Sequence, residues 1–285
     1  SSEEASIEQS KVASSRAGED GREEKETIGE EGQQFTVAIA AGHSTVNPGA
    51  SVNGLVEQAL TIKVAEKVQE LIEEKYENIK VVQTGTTADN KDLDNKYRVQ
   101  LAKDANPDLC IQIHFNAGGG TGVEALYKEG DGVSRQLAEI ISETMANSMG
   151  IENRNAGTDI EKHGESLGII ASFTETGFPS VVTEGGFLDN TNDANLLKSD
   201  GLDKYAEGIV NGIVKYLEAD HSGYTATKTG DSTVTKSVES KIYNMKYIKL
   251  EDLKAMEGSG KTADNVAEAI KYFSLDENNK LITLS

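Results

Sequence analysis

The chain has 285 residues, enough for one large domain with its own core and a minor appendage. Lys and Arg total 28 against 48 Asp and Glu, a formal net charge of -20 that repels polyanions, so nucleic acid is excluded as a natural partner. The only cysteine, Cys110, lies in the apolar run Leu109-Cys110-Ile111 and reads as a small core residue, which excludes an internal disulfide and a Cys-rich zinc site. No stretch approaches the roughly 18 apolar residues of a membrane span. The first residues lack the apolar heart of a signal peptide, and a start at Ser1 reads as a processed or trimmed chain or equally as a cloning boundary.

Residues 1–34 are crowded with Glu, Ser and Lys and hold only Ile7, Val12 and Ile28 as larger apolar side chains. Such a segment cannot offset its ordering entropy by burial, so it reads as a disordered acidic arm whose removal leaves the fold intact. From Phe35 short β-branched runs alternate with helical-period segments, the pattern of a parallel sheet covered by helices. Strands are expected at Phe35–Ala41, Ile79–Thr84, Asp108–His114, Gly122–Tyr127 and Ser180–Glu184, with a weaker one at Leu167–Ala171. One helix carries Leu60, Val64, Val68, Leu71 and Ile72 on a single face, a second Val133, Leu137, Ile140, Ile141, Thr144 and Met145, and a third Leu202, Ala206, Ile209, Ile213 and Leu217. The glycine run 118–122 lacks the Lys and helix of a P-loop and reads as a hairpin loop between two strands. The main domain closes at Asp220. Residues 221–240, rich in Thr, Ser, Gly and Lys, read as a linker. Residues 241–285 read as a small appendage with a helix at Ala263–Phe273 and short strands near Ile242–Leu250 and Leu281–Leu284.

Of the four histidines, His43 follows the first expected strand and His114 ends the third. Glu184 closes the strand Val181-Val182-Thr183-Glu184. In open parallel sheets ligand-binding groups gather where the strands run out at their carboxyl ends. Glu57 extends the stripe of Leu60, Val64, Val68 and Leu71 back by three residues, so its carboxylate points inward from the first turn of that helix. An unpaired buried carboxylate costs several kcal/mol, and a metal cation would offset that; a bland alternative is a carboxylate that merely complements the helix dipole. Two imidazoles and a carboxylate form a known catalytic zinc set, with the fourth position open. Nothing in sequence distance alone proves that they converge. His163 and His221 read as bystanders.

The motifs Ala41-Gly42-His43, Asn47-Pro48-Gly49-Ala50 leading to Gly54-Leu55-Val56-Glu57, Ile113-His114-Phe115-Asn116-Ala117 and Thr183-Glu184-Gly185-Gly186-Phe187-Leu188-Asp189-Asn190 occur in that order. In this combination the stretch from Phe35 to Leu217 resembles the zinc-dependent N-acetylmuramoyl-L-alanine amidases of bacterial cell walls. The resemblance implies an α/β fold with a mixed, mostly parallel sheet flanked by helices on both faces. It implies Zn2+ bound by His43, Glu57 and His114, with Glu184 as the catalytic carboxylate. The implied substrate is peptidoglycan or a muropeptide, cleaved between N-acetylmuramic acid and L-alanine, and an extracytoplasmic site of action follows from that substrate. Ser44-Thr45 stands where a second glycine is usual, Gln112 where a small hydroxyl residue is common, and an arginine often present near Thr84-Gly85-Thr86-Thr87 is missing, although Arg98 keeps the later one. No long insertion before Glu184 offers an autoinhibitory helix, which leaves control by an activator protein open but without support. Three other readings stay open: a metal-free glycosidase using Glu57 and Glu184, a zinc peptidase acting on another wall bond, and a wall-binding module without activity.

Overall fold

The computed structural model describes residues 24–85, 94–222 and 224, together with the backbone of 273–275 and 281–283. In chain order the elements are β1 (Phe35–Ala41), β2 (Ser51–Val52), β3 (Leu55–Val56), α1 (Glu57–Lys75), β4 (Ile79–Gln83), α2 (Asn95–Ala105), β5 (Leu109–Asn116), β6 (Val123–Tyr127) and α3 (Gly132–Met149). They continue with β7 (Asn153–Thr158), α4 (Asp159–His163), α5 (Gly168–Thr174), β8 (Ser180–Phe187), α6 (Thr191–Lys198) and α7 (Gly201–Leu217), and β9 (Phe273–Leu275) pairs antiparallel with β10 (Leu281–Thr283). The linker expected at 221–240 and the strand expected near Ile242–Leu250 lie outside the described residues, apart from 221, 222 and 224. The helix expected at Ala263–Phe273 also lies outside them, except that Phe273 is in β9.

The main sheet has six strands in the order β4-β1-β5-β8-β6-β7. The first four are mutually parallel, β6 runs antiparallel to β8, and β7 is parallel to β6. This is the mixed, mostly parallel sheet expected. Alternation of side chains sends Val37, Ile39, Ile111, Ile113 and Val181 to one face, where they pack with Leu60, Val64 and Val68 of α1, Leu137, Ile141 and Met145 of α3 and Ile209 and Ile213 of α7. The opposite face holds Ala38 and Cys110 against Val99 and Ala102 of α2 and Phe173 of α5. Helices therefore cover both faces. Local chemistry sets their ends: Asp94 and Asp131 accept backbone N–H groups at the starts of α2 and α3, and Asn106 and Gly150 stop them in left-handed conformations (φ 46 and 68).

Three expectations need correction. The glycine run 118–122 is not a hairpin between paired strands, because β8 lies between β5 and β6. The loop crosses the end of β8, where the Asp189 carboxylate accepts the N–H groups of Gly118 and Gly119, both at 2.8 Å. The run Leu167–Ala171 is not a strand, since residues 168–174 form α5, with Ile170 and Phe173 three apart on its buried side. So short an apolar run does not reveal its own period. Finally, the segment read as an arm is docked over 24–34. Ile28 is 5% exposed within the main core, and Glu26 forms a bridge with Tyr76. Asn78, also buried, donates Nδ2 to the carbonyls of Ile28 and Gln33 and accepts the Ile28 N–H. One isoleucine and one asparagine recruit a segment whose composition argues against order, and the folded unit starts before Phe35.

The docking is testable. Ile28→Ala removes a buried side chain under the edge of the sheet, and urea unfolding is expected to show a loss of about 2–4 kcal/mol. Unchanged stability would mean that residues 24–34 contribute nothing to the core.

Candidate metal centre

His43 is held in a left-handed backbone conformation (φ 68) that few non-glycine residues adopt, so something must hold it there. Arg98 of α2 does so: its buried guanidinium donates to the carbonyls of Ala41 and His43. Burial lowers this group to about 10, still a cation at neutral pH. Gly42 is fixed on both sides, its N–H donating to Ile113 O at 2.9 Å and its carbonyl accepting Thr61 Oγ1 at 2.8 Å. Glu57 opens α1 and is 4% exposed. Its Oε2 accepts Ala50 N at 2.9 Å and its Oε1 accepts Phe115 N at 3.0 Å. His114 comes from β5, and Tyr205 Oη lies 3.1 Å from its carbonyl and 2.7 Å from Thr183 Oγ1.

These elements bring three ligand atoms to one point. His43 Nε2 is 2.9 Å from Glu57 Oε1, His114 Nδ1 is 3.2 Å from Glu57 Oε1, and the two ring nitrogens are 3.2 Å apart. Burial raises the Glu57 carboxyl, but hydrogen bonds from His114 and His43 outweigh it and hold the group well below the usual carboxylate range. Burial pushes His114 down, against the attraction of Glu57. The surroundings therefore favour an anionic Glu57 facing imidazole nitrogens, a donor set suited to a cation. Nitrogen and oxygen ligands at about 2.0–2.1 Å from a tetrahedral zinc stand roughly 3.3 Å apart, close to the spacing here. The residues fit the ion.

Glycine shapes the gap. A Cβ on Gly49 (φ 72) would lie 2.4 Å from Glu57 Oε2 and 2.6 Å from His43 Nε2, and one on Gly42 would lie 2.4 Å from the His114 ring.

Glu184 sits on β8 in register with His114 on β5 and with Glu124 on β6. It is 6% exposed, and its Oε2 has no hydrogen-bond partner among the described residues. Burial raises its carboxyl well above the usual range, with repulsion from Glu57 and Glu124 adding to the effect. Gln112, two residues before His114, is also buried with an amide that makes no hydrogen bond among the described residues. The structure thus brings His43, Glu57 and His114 together and sets Glu184 one strand away from His114.

Sequence reading overlooked Glu124, a carboxylate 1% exposed that accepts Asn116 Nδ2 at 2.7 Å and Arg154 Nε at 3.0 Å. The signal was there: an acid inside the apolar strand Val123-Glu124-Ala125-Leu126 poses the same question as Glu57 on its helix. His163 lies 3.9 Å from Glu124 Oε1, at the edge of this group. His221 is elsewhere, against Gln136 and the Tyr216 ring.

A mixed α/β sheet with a two-histidine, one-glutamate centre at its strand ends and a buried glutamate alongside places the protein among α/β enzymes with a candidate metal site. The chain belongs to the N-acetylmuramoyl-L-alanine amidase family, whose model matches residues 37–215, and it is a hydrolase of peptidoglycan. Over 181 residues it is 32% identical to the N-acetylmuramoyl-L-alanine amidase CwlM of Bacillus licheniformis, a match covering 63% of this chain and 67% of that one. The solved N-acetylmuramoyl-L-alanine amidase of Clostridium difficile 630 superposes with a TM-score of 0.57 at 25% identity, over 66% of this chain and 98% of that chain. The CwlD amidase of Clostridioides difficile, solved in complex with the GerS lipoprotein, gives a TM-score of 0.55 at 25% identity, over 66% of this chain and 100% of its own.

The close approach at Gly49 yields a prediction. Gly49→Ala forces a methyl group between Glu57 and His43 and displaces one or both by about 1 Å, so turnover of muropeptides is expected to fall roughly 10²-fold. Parent-like turnover would show that the spacing of the three groups does not matter to the reaction.

Proposed function

We propose that this amidase depends on zinc, with His43 Nε2, Glu57 Oε1 and His114 Nδ1 holding the ion and Glu184 moving the proton. The observation that carries the reading is the mutual spacing of those three atoms, 2.9–3.2 Å, around a glutamate buried between two imidazoles. Zinc with three protein ligands brings water's pKa towards about 7 and polarises a carbonyl oxygen. Glu184, on the strand beside His114, takes the proton from the water that attacks the lactyl carbonyl and delivers it to the departing alanine nitrogen. Burial raises the carboxyl well above the usual carboxylate range, which strengthens its hold on a proton taken from the water. Tyr205 and Arg98 touch no reacting atom in this scheme. They fix the backbone of His114 and His43, and so the direction of each ring.

A metal-free glycosidase working through Glu57 and Glu184 is less well supported, because Glu57 Oε1 faces two imidazoles and a backbone N–H and is not directed at Glu184. A zinc peptidase acting on another wall bond would share the same centre, and mass spectrometry of products from defined muropeptides separates the two. Peptidoglycan as substrate places the working enzyme outside the cytoplasm. The GerS complex belongs to CwlD; whether this chain needs a protein partner is answered by whether it turns over muropeptides alone.

Two variants test the roles when metal content and turnover are measured on the same samples. His114→Ala is expected to lose zinc and activity together, and full zinc occupancy would remove His114 from the ligand set. Glu184→Gln is expected to keep zinc while turnover falls about 10²- to 10⁴-fold. Zinc lost along with activity would make Glu184 a ligand and take away much of the case for Glu57; activity retained would place the proton acceptor elsewhere.

A further inference from the structure

Beside Glu184 lies a cationic group that the hydrolytic scheme does not use. β7 is an edge strand, and its register with β6 slips: Val123 faces Asn153, but Ala125 faces Ala156, so Arg154 and Asn155 together oppose Glu124. Asn155 takes a left-handed conformation (φ 67) to make this bulge. Bulges re-aim side chains, and this one puts Arg154 Nε 3.0 Å from Glu124 Oε2 with the guanidinium over the Phe187 ring, 4.9 Å from its centroid. Lys162 of α4 closes in from the other side. Its Nζ donates to Arg154 O at 2.6 Å and lies 3.8 Å from Glu124 Oε2, and its stem runs so close to Gly157 that a Cβ there would meet Lys162 Cε at 2.4 Å.

Neutralising Glu124 does not account for this arrangement. One buried carboxylate needs one cation, and Arg154 supplies it through Nε alone, helped by Asn116. Lys162 is a second cation in a chain of net charge -20. The nearby acids are turned elsewhere: Asp159 accepts the N–H groups of Ile160 and Leu167, and Glu161 accepts that of Thr158. The two Nη nitrogens of Arg154 make no hydrogen bond among the described residues, and the side chain is 34% exposed. A guanidinium fixed by its Nε and its flat face, with its Nη edge available, is preorganised for a planar anion.

We propose that Arg154, seated on Glu124 and reinforced by Lys162, binds a carboxylate on the peptide side of the scissile bond and so sets substrate preference. The inference rests on the amidase reading above. In a muropeptide the N-acetylated sugars are neutral and the carboxylates belong to the peptide, so an anion site selects for peptide. Strand spacing says which residue. From β8, which carries Glu184, to β7, which carries Arg154, is two spacings of about 4.8 Å, the reach of two to three extended residues. That matches the residue after alanine.

Two N-acetylmuramoyl dipeptides test the proposal, both with the γ-carboxyl of the glutamate after L-alanine blocked as an N-methylamide, and identical except that its α-carboxyl is free in one and a carboxamide in the other. The zinc-loaded parent is expected to favour the acid in kcat/KM by roughly ten- to a hundredfold, the range for a charge-assisted bidentate contact. Removing both charges with the double variant Glu124→Gln and Arg154→Gln, which avoids burying a Glu124 carboxylate without its guanidinium, is expected to abolish the preference. The loss of preference should appear as a rise in KM for the acid relative to the amide, over and above any shared change in kcat that removing Glu124 causes through Glu184. Arg154→Lys is expected to retain part of the preference. Equal handling of acid and amide by the parent would overturn the proposal, and so would a double variant that slows both substrates by the same factor, because that is the mark of a purely structural ion pair. Cleavage of neither substrate by the parent would overturn the amidase reading and this inference with it, a result distinct from equal cleavage of both.

Discussion

The Glu57 carboxylate is the contact on which the rest of the site depends. Burying it costs several kcal/mol unless its oxygens find donors, and the donors it finds come from two other parts of the chain. Oε2 accepts from Ala50 in the loop after β1, while Oε1 accepts from Phe115 on β5 and faces both imidazoles. The same loop returns the contact, since the carbonyls of Ala50 and Pro48 accept the N–H groups of Glu57 and Gln58. This explains how α1 begins without a side-chain cap at Val56. Its first amides are satisfied by the loop that its first side chain holds in place. Helix start, loop and strand are therefore positioned by one ion, and the ligand geometry follows from their agreement.

Across the sheet the chemistry is spread in the order of the strands. His43 follows β1, His114 lies on β5, Glu184 on β8, Glu124 on β6 and Arg154 on β7, each on an element hydrogen-bonded to the next. Parallel β1, β5 and β8 bring three groups to their carboxyl ends, as open α/β sheets do. Antiparallel β6 enters from the opposite direction and sets a carboxylate against Glu184 at mid-strand. The bulge on β7 then turns a cation inward. The edge thus grades from a metal-suited set, through a buried acid, to a cationic patch, a layout suited to a substrate with a neutral end and an anionic end.

Much of this was legible in the residues, for identifiable reasons. The helical stripe ending on Glu57 has a period, and period survives without a structure. The strand that leads to His43 and those carrying His114 and Glu184 are apolar enough to declare themselves. β7 did not, because Asn153-Arg154-Asn155-Ala156-Gly157-Thr158 is a polar edge strand with only β6 beside it. Nor could strand order be read, and without it the glycine loop looked like a hairpin and Glu124 had no visible neighbour. Ile28 shows the limit of composition: the segment around it is polar on average, yet one side chain meeting one buried asparagine is enough to dock it.

The orphan polar atoms show what the arrangement costs. Among the described residues the buried side-chain atoms without a partner are Glu184 Oε2 and the two amide atoms of Gln112. Both side chains lie within two register positions of His114, on neighbouring strands. Each such atom costs about 1–3 kcal/mol relative to a satisfied one, and a fold selected for stability alone would have no reason to collect them at one end of the sheet. The apolar clusters on both faces offset that expense away from the site. A buried acid with an unpartnered oxygen beside a converged His-His-Glu set is the arrangement on which the proposed proton transfer by Glu184 rests. The unpartnered atoms and the candidate metal-holding group therefore share one end of the sheet, a concentration of local cost of the kind found where function sets the residues.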